Sequence, residues 1–253
     1  MNAFTVETWA AWAPALSAPE AWRVWAMRPG LPVGDSEPDV SDVPALARRR
    51  MSPLTRMALH VASRAGSGFR AADVPIVLAS RHGEVQASLS MMRDILAERD
   101  LSPTMFSHSV HNAPAGQLSI HSRNQWPSSS VAGMQATFEA GLVEALGLAQ
   151  RCVAERVLLV VADLPLPREY SSYADEPQVP HAMALLLRVG GSTASLCLEP
   201  RGDVPVRHCA LPWALDFLAW YLQEGREWTA PGGWSTIRRI EGSLGPRAGC
   251  DAQ

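Results

Sequence analysis

Hydrophobic and polar positions change period along the chain, and those changes mark out its elements. "AFTVETWAAW", from Ala3, begins with alternating side chains and predicts a first strand. Residues 27–45 hold four prolines, two glycines and four acids, which predicts a surface loop. Ser52 can cap a helix with Pro53 at its first position, and Leu54, Met57, Ala58, Val61 and Ala62 form its apolar stripe, ending near Gly66. "VPIVLAS" is short and apolar on both sides, as a buried parallel strand would be. "EVQASLSMMRDILAERD" predicts a helix with Val85, Leu89, Met92, Ile95 and Leu96 on one side.

Further on, Phe138, Leu142, Ala145, Leu146 and Ala149 recur at helical spacing, with Glu139, Glu144 and Gln150 pointing away. "RVLLVVAD" predicts a strand. "LPLPREYSSYADEPQVP" predicts a loop, and "HAMALLLRV" and "STASLCLEP" read as a hairpin joined across Gly190 and Gly191. This alternation of strand and helix predicts an α/β fold whose mainly parallel sheet is covered by helices. Trp213, Phe217, Trp220 and Tyr221 fit one face of a helix packed on that sheet, followed by Trp228 and Trp234. A partner-binding surface is the alternative, since Trp and Tyr favour interfaces. Residues 1–242 are expected to form one domain, and 243–253 a flexible tail.

Composition narrows the chemistry. The 253 residues are 47% hydrophobic and 19% charged, which suits a single globular domain. A net charge of −3 gives no electrostatic reason to expect nucleic acid or an anionic membrane as partner. All 22 basic residues are arginine, so Schiff-base chemistry has no lysine to use. The four cysteines lack C-x-x-C spacing and read as reduced thiols of a cytoplasmic protein. No stretch approaches the roughly 20 apolar residues of a membrane span.

The chemically suggestive stretch is "SHSVHNAPAGQLSIHSRNQWPSSSVAGMQATFEAG", with His108, His111, Asn112, His121 and Ser128–Ser130. A serine nucleophile in this fold class would sit in G-x-S-x-G, and "WPSSSVAG" has no glycine two residues before any serine. His108 and His111 lie three apart without a carboxylate or cysteine nearby, so no metal site is expected. Gln135 falls at the start of a helix, where the dipole would lower a thiol's pKa. An amide there cannot attack a thioester.

"FSHSVHNAPAGQLSI", "WPSSSVAGMQ", the amphipathic helix and "RVLLVVAD" together resemble the centre of a β-ketoacyl synthase N-terminal half. Asn112, Ala115-Gly116 and Ser119-Ile120 match that family's N-x-x-A-G-x-x-(S/T)-I run, and Pro127-Ser128 match its turn. Gln135 then occupies the slot of the nucleophilic cysteine. The resemblance implies a thiolase-like half with a mainly parallel five-stranded sheet. Glutamine in this slot marks the chain-length-factor branch, and the second-half motifs carrying the catalytic histidines are absent.

The implied role is that of a non-condensing homologue acting with acyl carrier protein and a full ketosynthase, or a second copy of itself. The setting would be bacterial fatty-acid or polyketide synthesis of the aryl polyene type. No cofactor and no catalytic residue are implied; Gln135, His108, His111, Asn112 and Ser128 are the acyl-pocket candidates. Two alternatives stand beside it: an acyltransferase or thioesterase using a serine of 128–130 or a pocket histidine, and a purely structural subunit.

Overall fold

Eight strands form one sheet in the order β3-β2-β4-β5-β1-β6-β8-β7. The computed structural model describes residues 3–66, 74–191, 194–202, 208–232 and 235–240. The strands are β1 (Ala3–Trp12), β2 (Ile76–Ala79), β3 (Ser128–Val131), β4 (Arg156–Asp163), β5 (His181–Val189), β6 (Leu196–Pro200), β7 (Glu227–Thr229) and β8 (Ser235–Arg239). The helices are α1 (Pro19–Met27), α2 (Ala45–Arg48), α3 (Pro53–Ala65), α4 (Val85–Leu96), α5 (Pro103–His108), α6 (Ala113–Ser122), α7 (Thr137–Arg151) and α8 (Trp213–Leu222).

Strand β2 pairs in parallel with β3 and β4, while β5 is antiparallel to both β4 and β1. Four of these five strands therefore run the same way, with β5 reversed between β4 and β1. This is the expected five-stranded, mainly parallel unit. Beyond β1 it is extended by β6, β8 and β7, each antiparallel to its neighbour.

The pleat sends alternate residues to opposite faces. Val77, Leu159 and Val161 join the core beneath α7 and α8, whereas Ile76, Leu78, Leu158 and Val160 join the core beneath α3 and α6. Both faces are dry, which is why β2 and β4 read as unbroken apolar runs. Gly141 lets α7 approach the sheet: a Cβ there would lie 2.6 Å from Ala79 Cβ. Helix α3 begins as its sequence requires, with Ser52 Oγ accepting a hydrogen bond from the Thr55 N–H at 3.0 Å and Pro53 in the first turn.

Three expectations change. The strands β5 and β6 are not a hairpin, because β1 lies between them. After β5, Gly190 and Gly191 take φ of 71° and 86°, and the chain straddles the start of β1. There the Gly190 N–H donates to the Ala3 carbonyl at 2.8 Å and the Ser195 N–H to the Phe4 carbonyl at 3.1 Å. Helix α4 forms, but its apolar stripe is not core: Met92, Ile95 and Leu96 are 43%, 57% and 85% exposed. It packs on α5 rather than on the sheet. Finally, α1 arises where no element was expected, on the i, i+4 pair Trp22 and Ala26, with the Trp22 indole donating to the Ala11 carbonyl at 2.9 Å.

The aromatic C-terminal run is mostly core. Phe217 packs against Phe138 of α7 (ring centroids 4.5 Å apart) and meets Trp228 edge-on at 5.5 Å, and Trp213 is also buried. Trp220 and Tyr221 are half-buried, and the Arg239 guanidinium lies 5.5 Å and 5.3 Å from their rings. Trp234 and the 243–253 tail lie outside the described residues.

Because Phe138 is 2% exposed and anchors the junction of α7 with α8, Phe138→Ala should destabilise the domain by about 3–5 kcal/mol. Denaturant unfolding measures this directly; a loss below about 1 kcal/mol would mean that the aromatic junction collapses without penalty.

Candidate functional site

Chemistry-bearing side chains gather where β2 and β4 end. Asp163, the last residue of β4, is buried. Its Oδ1 accepts from the Ser80 hydroxyl at 3.0 Å and from the N–H groups of Arg81 and His82 at 2.9 and 3.2 Å. The Ser80 hydroxyl in turn accepts from the Gly83 N–H at 3.0 Å. One carboxylate thus organises the whole turn between β2 and α4 through charge-assisted bonds.

That turn aims Arg81 across the edge of the sheet. Its side chain is only 7% exposed and is ion-paired with Asp175 and, at 3.6 Å, with Glu176. The Glu176 carboxylate also accepts from the Trp213 N–H at 3.1 Å, which ties this loop to the start of α8. Burial pushes its carboxyl above the usual carboxylate range.

Gln135 sits in a 3-10 turn, Met134–Ala136, that leads into α7. Met134 adopts φ 52°, a left-handed conformation unfavourable for a side chain of its size. Thr137 holds the turn, with its hydroxyl donating to the Met134 carbonyl at 2.7 Å and accepting from the Gly133 N–H at 3.1 Å. The Gln135 amide donates to Asp175 at 2.7 Å, so Gln135 is bonded into the Arg81 cluster. The cavity lined by Gln135, Arg81, Asp163, Glu176 and His181 measures about 20 Å³. That is room for about one water molecule. It is not an acyl channel.

Glu139, expected to point away from the core, is 1% exposed, and neither carboxylate oxygen has a hydrogen-bond partner. Burial, reinforced by the like charge of Glu176, pushes its carboxyl up to about 7. Periodicity misplaces it because α7 buries two sides, one on the sheet and one beneath α8.

The other candidates are dispersed. His111 Nε2 donates to the Ser80 carbonyl at 2.7 Å, bracing the β2–α4 turn from outside. Asn112 is exposed at the start of α6, and its side chain makes no capping bond. Ser128 is exposed on β3, and Ser130 Oγ is buried without a partner. Among the described residues, no hydrogen bond joins Ser128, Ser129 or Ser130 to a histidine. His108 lines a different and much larger cavity, of about 490 Å³. No group of three or more His, Cys, Asp or Glu among the described residues could hold a metal ion. Sequence reasoning missed Arg81, Asp163, Asp175 and Glu176. The one available signal was an aspartate ending the strongest strand.

The cluster makes opposite demands on its members. Gln135→Ala should change stability by no more than about 1 kcal/mol, since a half-exposed amide recovers its bond from water. Arg81→Met should cost roughly 3 kcal/mol or more, because it strands Glu176 without its cation. Comparable losses for the two variants in urea unfolding would contradict the assignment of Arg81 as the anchor.

The Glu139 carboxyl gives a pH signature. Its folded value, about 7, lies above the ordinary 4.5, so it costs nothing below pH 4.5 and progressively destabilises as pH rises to 7. Glu139→Gln should match the wild type near pH 4.5 and exceed it by about 3 kcal/mol above pH 7. A stability difference that stays flat with pH would show that the Glu139 carboxyl binds its proton equally well in the folded and unfolded chain.

Comparison with solved structures places this geometry. A chain from the complex of the ketosynthase ApeO with its chain length factor ApeC, from Xenorhabdus doucetiae, is 29% identical and superposes with a TM-score of 0.78, over 94% of this chain and 98% of that one. The ishigamide ketosynthase/chain length factor gives 16% identity and a TM-score of 0.59, over 79% and 68%. A chain of AntDE:AntF, a type II polyketide synthase acyl-carrier protein in complex with its ketosynthase, gives 10% and 0.64, over 95% and 100%. The latter two share the fold alone. No curated protein matches the sequence. The model of the β-ketoacyl synthase N-terminal domain matches residues 22–235, and with its α/β thiolase-like sheet and its Gln135 turn in place, the chain belongs to that family.

Proposed function

We propose that this chain is a non-condensing, chain-length-factor-like subunit that pairs with a full ketosynthase. Together they would extend acyl chains held on acyl carrier protein, in a bacterial fatty-acid or polyketide pathway of the aryl polyene type. The observation that carries this reading is Gln135: an amide in the nucleophile slot, bonded to Asp175 over a void of about 20 Å³. The likeness to a chain of the ApeO–ApeC complex supports it. The single domain, residues 1–242, would act in the cytoplasm, a setting that suits the reduced thiols of Cys152 and Cys197.

Physical chemistry indicates where the partner sits. Among the described residues the outer edge of β3 is unpaired, and an open edge with apolar surroundings invites association. Helix α6 packs on β3, α5 on α6 and α4 on α5. These elements leave Ile95, Leu96, Phe106, Val110 and Ile120 exposed at 57%, 85%, 63%, 44% and 67%. Apolar exposure on this scale marks an interface. With the void behind Gln135 so small, an acyl chain would lie between the subunits or against the partner. The serine-hydrolase alternative is less well supported, because among the described residues no hydrogen bond joins Ser128–Ser130 to a histidine.

Light scattering after co-expression with a full ketosynthase of its own host tests the proposal. A 1:1 complex is expected, burying more than about 1,000 Å². Ile95→Glu with Phe106→Glu, both at exposed positions, should dissociate it without altering the melting temperature of the isolated chain. A chain that stays monomeric beside the ketosynthase, or that binds only itself, would defeat the proposal.

A further inference from the structure

Among the described residues, six that are not glycine take a positive φ, and five of them have a local reason. Glu98, Arg123, Val153 and Glu224 stand just past the ends of α4, α6, α7 and α8, where a left-handed residue closes the last turn. Ala15 lies in the tight turn closed by the two backbone bonds between Ala13 and Leu16. Met134 is different. At φ 52° it opens a helical segment instead of ending one.

Its turn is locked on both sides. Gly133 has no room for a side chain, since a Cβ there would lie 2.9 Å from Ala140 Cβ and 3.0 Å from the Ala136 carbonyl oxygen. The Ala136 N–H donates to the Gly133 carbonyl at 2.9 Å, and the Thr137 hydroxyl ties Met134 to Gly133 from the other side. Glycine or asparagine would occupy this fixed conformation at lower cost. The residue is nevertheless a methionine, and it is 78% exposed, so its bulk gains almost nothing within this chain. A single exposed apolar side chain is ordinary. One held at a backbone cost is not, because such strain collects at functional positions.

Met134 follows the edge strand β3 by three residues, and the exposed Ala132 and half-buried Gly133 leave little bulk beside it. We propose that Met134 is a pre-set anchor for the ketosynthase subunit: docking seats its side chain in an apolar pocket of that partner, and this contact sets the strength of the pairing. The inference rests on the pairing proposed above and goes beyond it by naming the residue that governs it. An unbranched thioether adapts to a pocket of irregular shape, and a locked backbone has little further freedom to lose on binding. Full burial of one such side chain corresponds to about tenfold to a hundredfold in affinity.

Titration calorimetry of the full-length chain against a full ketosynthase of its own host tests this, beside thermal unfolding of the chain alone. Met134→Gly and Met134→Asn relieve the strained φ and remove the thioether. Each should raise the melting temperature by about 2–4 °C and yet weaken the complex about tenfold or more. Met134→Leu keeps the apolar bulk and should bind within about threefold of the wild type. A residue that only supports the fold would not behave so, since its loss lowers stability and affinity together. Glycine and asparagine variants that bind within about threefold of the wild type would overturn the inference and leave the pairing itself standing. So would a lower melting temperature in both, or a loss in Met134→Leu equal to that in Met134→Gly. Absence of any complex with the wild-type chain would overturn both the inference and the pairing.

Discussion

The carboxylate of Asp163 is the constraint on which the functional edge depends. Strand β4 delivers it, and its bonds to Ser80, Arg81 and His82 fix the turn leaving β2. Those bonds orient Arg81 inward, and Arg81 then fixes Asp175 and Glu176. Asp175 in turn holds Gln135. Four segments distant in sequence are joined through one buried anion. Replacing only the residue at 135 would therefore not recreate a reactive centre: the space around it is occupied by a network that this carboxylate assembles.

Much of the fold was legible because its periods are clean. The Ser52-Pro53 start of α3 and the apolar runs of β2 and β4 follow from rules that act within a few residues. Failures arise where the deciding partner is remote. The β5–β6 crossover depends on β1, which is nearly 200 residues upstream of the Gly190 N–H that bonds to it. Helix α4 has the stripe of a core helix, but periodicity says only that a face is apolar, not that this chain covers it. The uncovered stripe is what an unpartnered subunit would show.

The candidate site was legible in outline and not in wiring. Motif spacing put Gln135 at the head of α7, and the structure finds it there. Spacing also grouped Gln135 with His108, and the two line separate cavities. Proximity along the chain misleads here because β3 intervenes, carrying the chain from the α5–α6 side back to the slot. Arg81 and Glu176 escaped notice for the opposite reason: nothing near them in sequence announces a partner.

Charge at the slot carries the argument one step further. Asp175 and Glu176 pair with Arg81, Asp163 bonds the turn that carries it, and Glu139 lies near Glu176; of the four acids, Asp163 and Glu139 are buried. Asp163 is compensated by N–H and O–H donors, and Asp175 by Arg81 and Gln135. Glu139 has no such side-chain partner, and its carboxyl value is raised by burial, reinforced by the like charge of Glu176. An apolar acyl chain entering here would displace the polar partners of Asp163 and Glu176, which line the void, at several kcal/mol per uncompensated ion. The slot is therefore closed by electrostatics as much as by volume, and the apolar room that the chain does offer lies on the other side of the β2–α4 turn, where Met51, Met105 and Leu164 line the surface.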